Sequence, residues 1–289
     1  MLTLRYRDGA EGLTAVLNVG LMNFGNGEVS VDLTNPISLA IDLDFSHAQP
    51  RHFGAPPATS RPFAVPGFSG SVAHGASCNC QTLTLVPHCN GTHTECVGHL
   101  TREAVAAFRV VPAGFIPALL VSVTPEAAGA AREGSEPAPQ AHDRLITRRA
   151  LEHGWGRAPF EARALVIRTL PNPPEKRTRD YSGHTAAYLS REAAQLLVER
   201  GILHLIVDLP SIDRAQDEGH MTAHRVFFGL PPGSAALASA ARPDATITEL
   251  AYVPDSLADG AHLLELQVPA LGGDAVPSRP LLYRLESPA

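Results

Sequence analysis

Positive charge is scarce in this sequence and nowhere concentrated. Lys and Arg number 23 against 29 Asp and Glu, the formal charge is −6, and no basic run occurs. That removes the electrostatic attraction on which nucleic-acid or anionic-membrane binding depends, so a small-molecule partner is expected. Long apolar runs are missing as well, and none approaches the roughly 18 residues that span a bilayer. The N-terminal stretch MLTLRYRDGAEGLTAVLNVG does not lead from a basic segment into the apolar core of a secretory signal. A cytoplasmic location is therefore expected. Cysteine is limited to four residues, Cys78, Cys80, Cys89 and Cys96, all in one stretch beside histidines. In a large cytosolic chain this favours metal or redox chemistry, or simple burial, over a disulfide framework. Their spacing, C-x-C and then gaps of eight and six residues, fits neither paired C-x2-C knuckles nor a zinc finger. Cys78 and Cys80 read as small buried hydrophobes. H-E-x-x-H, G-x-x-x-x-G-K-[ST] and a post-strand G-x-G-x-x-G are absent, and GFSGS (67–71) misses the G-x-S-x-G elbow by one position. The common hydrolase and nucleotide-binding motifs are thus excluded.

What is present is an ordinary globular composition, 44% hydrophobic and 18% charged over 289 residues, which fits one large domain spanning 1–289 or two small ones. Strands are predicted at 29–33, 82–86, 118–123, 164–169 and 203–209. The last three are almost continuously apolar, which implies a sheet covered on both faces with helices packed against it. SREAAQLLVERG predicts a helix capped by Ser190, with Glu192 at its positive end and Gly201 as its stop. Shorter helices are predicted at 146–154 and at 101–108, the latter starting on Thr101. The pattern is α/β. Segments 125–143 and 171–180 read as surface excursions. The Pro/Gly-rich stretch 49–70 is long and aperiodic, as expected of a loop lying over a site.

The densest chemistry lies in PHCNGTHTECVGH, Pro87 to His99. Asn90-Gly91 predicts a turn or bulge. In an extended chain beyond it, His93 and Glu95 share one face while Thr92 and Thr94 share the other. An imidazole beside a carboxylate suits zinc, manganese or iron(II), and Cys89 or His88 would add a further donor. His99, four residues past Glu95, is placed to be a ligand or a proton-transfer group. The alternative is a polar strand with no metal. Isolated histidines such as His74 and His204 read as satisfied polar residues. His184 and His220 sit in polar, Gly-containing surroundings, near a pocket or simply exposed. Asp208, at a strand end, reads as the cap of the following turn, and Phe53, Phe68 and Trp155 as core or as an aromatic wall.

GTHTECVGH resembles the signature H-x-G-T-H-x-D-x-P-x-H of the cyclase-like metal-dependent hydrolases, the family of bacterial kynurenine formamidase (arylformamidase) and isatin hydrolase. VDLTNPIS, LIVDLPSID (205–213), AHRVFFG (223–229) and ITEL (247–250) are similar to further family segments in the same order. The resemblance implies a swivelling β/β/α-type single domain with a mixed sheet and flanking helices, commonly in a homodimer or larger assembly. It implies one or two divalent metals, zinc or manganese, held by His93, Glu95, His224 and Glu249, with His99 as the catalytic histidine. Three positions depart from the signature: Cys89 stands where the family has its first histidine, with His88 one residue away, Glu95 stands for aspartate, and Val97 stands for the proline. The implied function is hydrolysis of a small-molecule C–N amide bond, as in N-formylkynurenine in tryptophan catabolism. A cyclic-amide (isatin-type) hydrolase, a cyclase or dehydratase on the same metal, and a metal-free binding protein are the alternatives.

Overall fold

Strands rich in Val, Ile and Leu on both faces need cover on both faces, and this requirement organises the chain. The computed structural model describes residues 2–9, 12–19, 29–156, 161–183 and 186–286. The strands of the main sheet are β1 (Leu2–Gly9), β2 (Gly12–Val19), β3 (Val29–Asp32), β4 (His93–Cys96), β5 (Phe115–Val123), β6 (Ala164–Thr169), β7 (His204–Val207), β8 (Thr246–Glu249), β9 (Gly260–Gln267), β10 (Ala275–Pro277) and β11 (Arg279–Glu286). They lie in the order β1-β2-β3-β11-β9-β5-β6-β7-β8-β4-β10, with Ile37–Ser38 paired to β11 as the twelfth strand. The centre, β5-β6-β7-β8, is parallel, and the remaining pairs are antiparallel.

The helices are α1 (Ala107–Val110), α2 (Arg148–Trp155), α3 (Arg191–Glu199) and α4 (Thr222–Phe228). The period-2 alternation of the central strands sorts their side chains between two layers. Leu165, Ile167, Leu205 and Val207 pack with Leu151 and Trp155 of α2, Leu196 and Leu197 of α3, and Phe227 and Phe228 of α4. Ala164, Val166 and Ile206 face the other way, onto Leu39, Ala251, Val253 and Leu257. Helices α2, α3 and α4 thus cover one face, while irregular segments cover the other.

Helix α3 begins as its sequence dictates: Ser190 Oγ accepts from Ala193 N at 2.9 Å, and the chain leaves through Gly201 at φ 71°. Thr147 caps α2 in the same way, accepting from Ala150 N at 3.1 Å. The helix predicted at 101–108 is not formed before Ala107. Tertiary partners claim the backbone there, because Arg102 N donates to Ala235 O, and Cys96 Sγ donates to Val105 O. The strand predicted at 82–86 runs from Gln81 to Thr84 and pairs with Thr59–Pro62 in a small exposed sheet. Cys78 and Cys80 flank this region and are exposed, contrary to the burial expected of them. Trp155 is core, whereas Phe53 and Phe68 are exposed. Among the described residues, no helix is long and apolar enough to cross a membrane.

Candidate metal centre

The opening of the motif is a turn. Cys89 N and Asn90 N both donate to Val86 O, Asn90 Oδ1 accepts from Val86 N, and Gly91 takes φ 73°, a conformation that favours glycine. From there β4 runs antiparallel between β8 and β10, and all four of its residues are buried. Thr92 and Thr94 tie the strand down on one side: Thr92 Oγ1 donates to Leu250 O at 2.6 Å, and the Thr94 and Thr248 hydroxyls lie 2.7 Å apart. His93 and Glu95 face the other side, as their spacing predicts.

Pairing places His93 opposite Glu249, with Nε2 3.4 Å from Oε2. Helix α4 delivers His224, whose Nε2 lies 2.9 Å from Glu95 Oε1 and 3.6 Å from Glu249 Oε1. The short 3-10 turn Val97–Leu100 carries His99, whose Nε2 is 3.9 Å from Glu95 Oε2. Gly98 permits the close packing of this turn, since a Cβ there would meet Val105 O at 2.6 Å and Asp274 Cβ at 3.2 Å. His88 turns inward as well, with Nδ1 3.0 Å from Glu95 Oε2.

Ligand-type atoms of His88, His93 and Glu95 lie within 4.8 Å of one another, as do those of Glu95, His99 and His224. Cys89 belongs to no such group among the described residues. Its thiol is pushed up by burial and by the charge of Glu249, which favours the protonated form. Of the two residues near the position of the first histidine, His88 is therefore the one in the cluster.

Electrostatics concentrate on Glu95. Burial alone would raise its pKa, but the charges of His99 and His224 hold it well below the usual carboxylate range. Burial would likewise lower the His224 pKa, yet Glu95 and Asp213 hold it well above the ordinary imidazole value. For His88, burial is outweighed by Asp274 and Glu95, which push its pKa up to about 10. His93 Nε2, His224 Nε2 and both Glu95 oxygens are buried without a hydrogen bond of proper geometry. Buried polar atoms that approach each other without being aligned for hydrogen bonding are what a cation between them would satisfy. The mixed N/O donor set also fits a divalent metal of the zinc or manganese type.

Three residues of this region escaped the sequence reading. Asp213 accepts from Ala223 N at 2.7 Å and His224 N at 3.0 Å, and takes His224 Nδ1–H at 2.7 Å. One carboxylate thus anchors α4 and aims Nε2 of His224 at Glu95. Asp274, in a Gly-Gly-Asp turn before β10, is hydrogen-bonded to His88 at 2.8 Å and lies 3.5 Å from His99 Nδ1, and these two histidines hold its carboxyl below the usual range. His52 comes from the 49–70 loop, which does run along the motif: His52 N donates to Cys89 O at 3.1 Å. Its ring is 2% exposed with both nitrogens unpartnered, and its pKa is lowered by burial despite the charge of Glu249. The only sequence signal for Asp213 was its place in LIVDLPSID; Asp274 and His52 had none beyond their loops.

The other candidates lie elsewhere. Asp208 does not cap the turn after β7; it reaches back to accept from Thr169 N and Oγ1, each at 2.9 Å, and from Lys176 Nζ at 2.8 Å. His74 and His204 are satisfied by Ser71 and Thr246. His220 lies by Glu136 in a separate open cavity of about 850 Å³, on the face of α4 formed by Thr222, Arg225 and Val226. His184 lies outside the described residues.

The sequence profile of the Cyclase family matches residues 31–214, a span containing the metal motif, β5, β6, β7 and Asp213. The chain belongs to the Cyclase family. Solved structures with this fold include a "predicted metal-dependent hydrolase" from Bacillus stearothermophilus, 17% identical, with 86% of this chain and 98% of that one covered at a TM-score of 0.54. An isatin hydrolase bound to the product analogue thioisatinate is 14% identical, with 86% and 92% covered at a TM-score of 0.55. Isatin hydrolase A from Labrenzia aggregata is 15% identical, with 88% and 94% covered at a TM-score of 0.54. A comparison with curated proteins finds no match. At these identities the likeness shows the fold that this Cyclase family member shares: mixed α/β, with one large mixed sheet and few helices.

Proposed function

We propose that this Cyclase family member is a metal-dependent hydrolase that cleaves a C–N amide bond of a small molecule, in the manner of an arylformamidase. The observation that carries the reading is the set of buried atoms on His93, Glu95 and His224 that crowd together without aligned hydrogen bonds, a donor set that suits a divalent cation. His93, Glu95, His224 and Glu249 would hold it, with His88 adjoining. When bound, such an ion supplies a lowered pKa for water and polarisation of the scissile carbonyl.

The chain's own residues supply the rest. Glu95 and Glu249 present acceptor oxygens on adjacent paired strands, so their separation is fixed by the sheet. Asp213 holds the Nδ1 proton of His224 and keeps Nε2 directed inward. His99, partly open to solvent, faces Glu95 through Nε2. From there it takes a proton from the attacking water and returns it to the leaving nitrogen.

A cyclic amide is the second reading, favoured by the shared fold with isatin hydrolases. Opening a lactam and removing a formyl group place the same demand on His99, which protonates nitrogen as the bond breaks. Metal content measured with turnover of N-formyl anilines, isatins and cyclic imides tests both. The expected result is a stoichiometric divalent metal, lost in His93→Ala, together with hydrolysis of one class. A fully metallated protein that turns over none of them would refute the hydrolase reading.

A further inference from the structure

His88 and His99 each turn one nitrogen to a single carboxylate oxygen. Asp274 Oδ2 is 2.8 Å from His88 Nε2 and 3.5 Å from His99 Nδ1, and the two rings lie 4.2 Å apart. The opposite nitrogens, His88 Nδ1 and His99 Nε2, face Glu95 Oε2. Two imidazoles thus stand side by side between an outer carboxylate and an inner one.

Asp274 is fixed by its backbone. Its carbonyl accepts from Cys96 N of β4 at 3.0 Å, and that of Gly273 accepts from Ala107 N of α1 at 2.9 Å. The absent side chain of Gly98 lets the His99 turn approach it. Both the acceptor and the histidine it faces are therefore set by the end of the same strand.

A neutral imidazole carries one proton, and the acceptor at one nitrogen decides which nitrogen keeps it. With an acceptor at Nδ1, the lone pair is left on Nε2; without it, a proton on Nε2 blocks the position that must take one. We propose that Asp274 is the positioning residue for His99: it retains the Nδ1 proton, commits Nε2 to proton transfer, and is braced by His88 on the same oxygen. This rests on the hydrolase reading, in which His99 moves the proton.

The test compares the full-length wild type with Asp274→Ala and Asp274→Glu in three measurements. These are metal content, kcat and KM on the substrate found above, and ¹⁵N NMR of labelled histidine at pH 8.5, with His99→Gln for assignment. In Asp274→Ala, metal stoichiometry and KM are expected to hold while kcat falls roughly 10–100-fold, the usual effect of removing such a partner. The His99 proton is expected to leave Nδ1, and Asp274→Glu to recover part of kcat. A kcat within twofold of wild type, or an Nδ1–H form retained in Asp274→Ala, overturns the proposal; so does parallel loss of metal and kcat, which marks a structural role alone. The NMR comparison is also made on metal-free protein and needs no turnover. It therefore decides the hold of Asp274 on His99 even if no substrate is cleaved and the hydrolase reading fails.

Discussion

Replacing Lys176, the sole lysine of the chain, with methionine is expected to destabilise the protein far more than a lysine substitution ordinarily does. Lys176 is 6% exposed and its Nζ has four acceptors: Thr169 O at 2.7 Å, Thr169 Oγ1 at 2.8 Å, Asn172 Oδ1 at 3.2 Å and Asp208 Oδ2 at 2.8 Å. Methionine keeps much of the stem but removes the charge, leaving Asp208 buried with Thr169 as its one remaining hydrogen-bond donor among the described residues. Burial already raises the Asp208 pKa against the pull of Lys176, so its ionised form has little reserve. Breaking one side of a buried ion pair costs about 3–5 kcal/mol. For a domain of this size that lowers Tm on the order of 10 °C. Urea unfolding followed by circular dichroism measures the loss. The double variant Lys176→Met/Asp208→Asn removes the stranded charge and is expected to regain at least half of it. A single-variant loss below about 1 kcal/mol, or a double variant no more stable than the single one, would refute the argument.

Two further outcomes follow from the same kind of reasoning. His204 is buried in β7 and bonded to Thr246, and burial lowers its pKa to about 4 from 6.5. Because the folded state resists the proton, its contribution is intact above pH 6.5 and is lost as the pH falls toward 4. Between pH 7 and pH 5 the wild type is expected to lose about 2 kcal/mol more unfolding free energy than His204→Gln, and equal losses would contradict it. Asp213→Ala frees His224 Nδ1 and removes the anchor of α4; zinc affinity measured by competition with a chelator is expected to fall roughly 10–100-fold, and an unchanged affinity would remove Asp213 from the metal centre.

Local signals carried much of the fold. Ser190 caps its helix because its side-chain oxygen is placed to accept a free N–H of the first turn, and β5, β6 and β7 are buried because continuous Val, Ile and Leu leave no wet face. Where local preference failed, longer-range partners had claimed the backbone, as at Arg102. The exposed Cys78 and Cys80 show the converse, a residue type that often lies in cores placed in the exposed stretch leading into a small outer strand.

The sequence by itself determined that His93 and Glu95 share a face, because a strand alternates its side chains whatever surrounds it. It also marked His99, His224 and Glu249 through their ordered segments. Only tertiary structure decided which of the adjacent His88 and Cys89 turns toward Glu95, since a turn directs neighbouring side chains apart in ways that spacing does not encode. The same holds for Asp213 and Asp274: each reaches its histidines across a fold, Asp274 from 186 residues beyond His88, and no periodicity links residues that meet only when β4 is laid between β8 and β10.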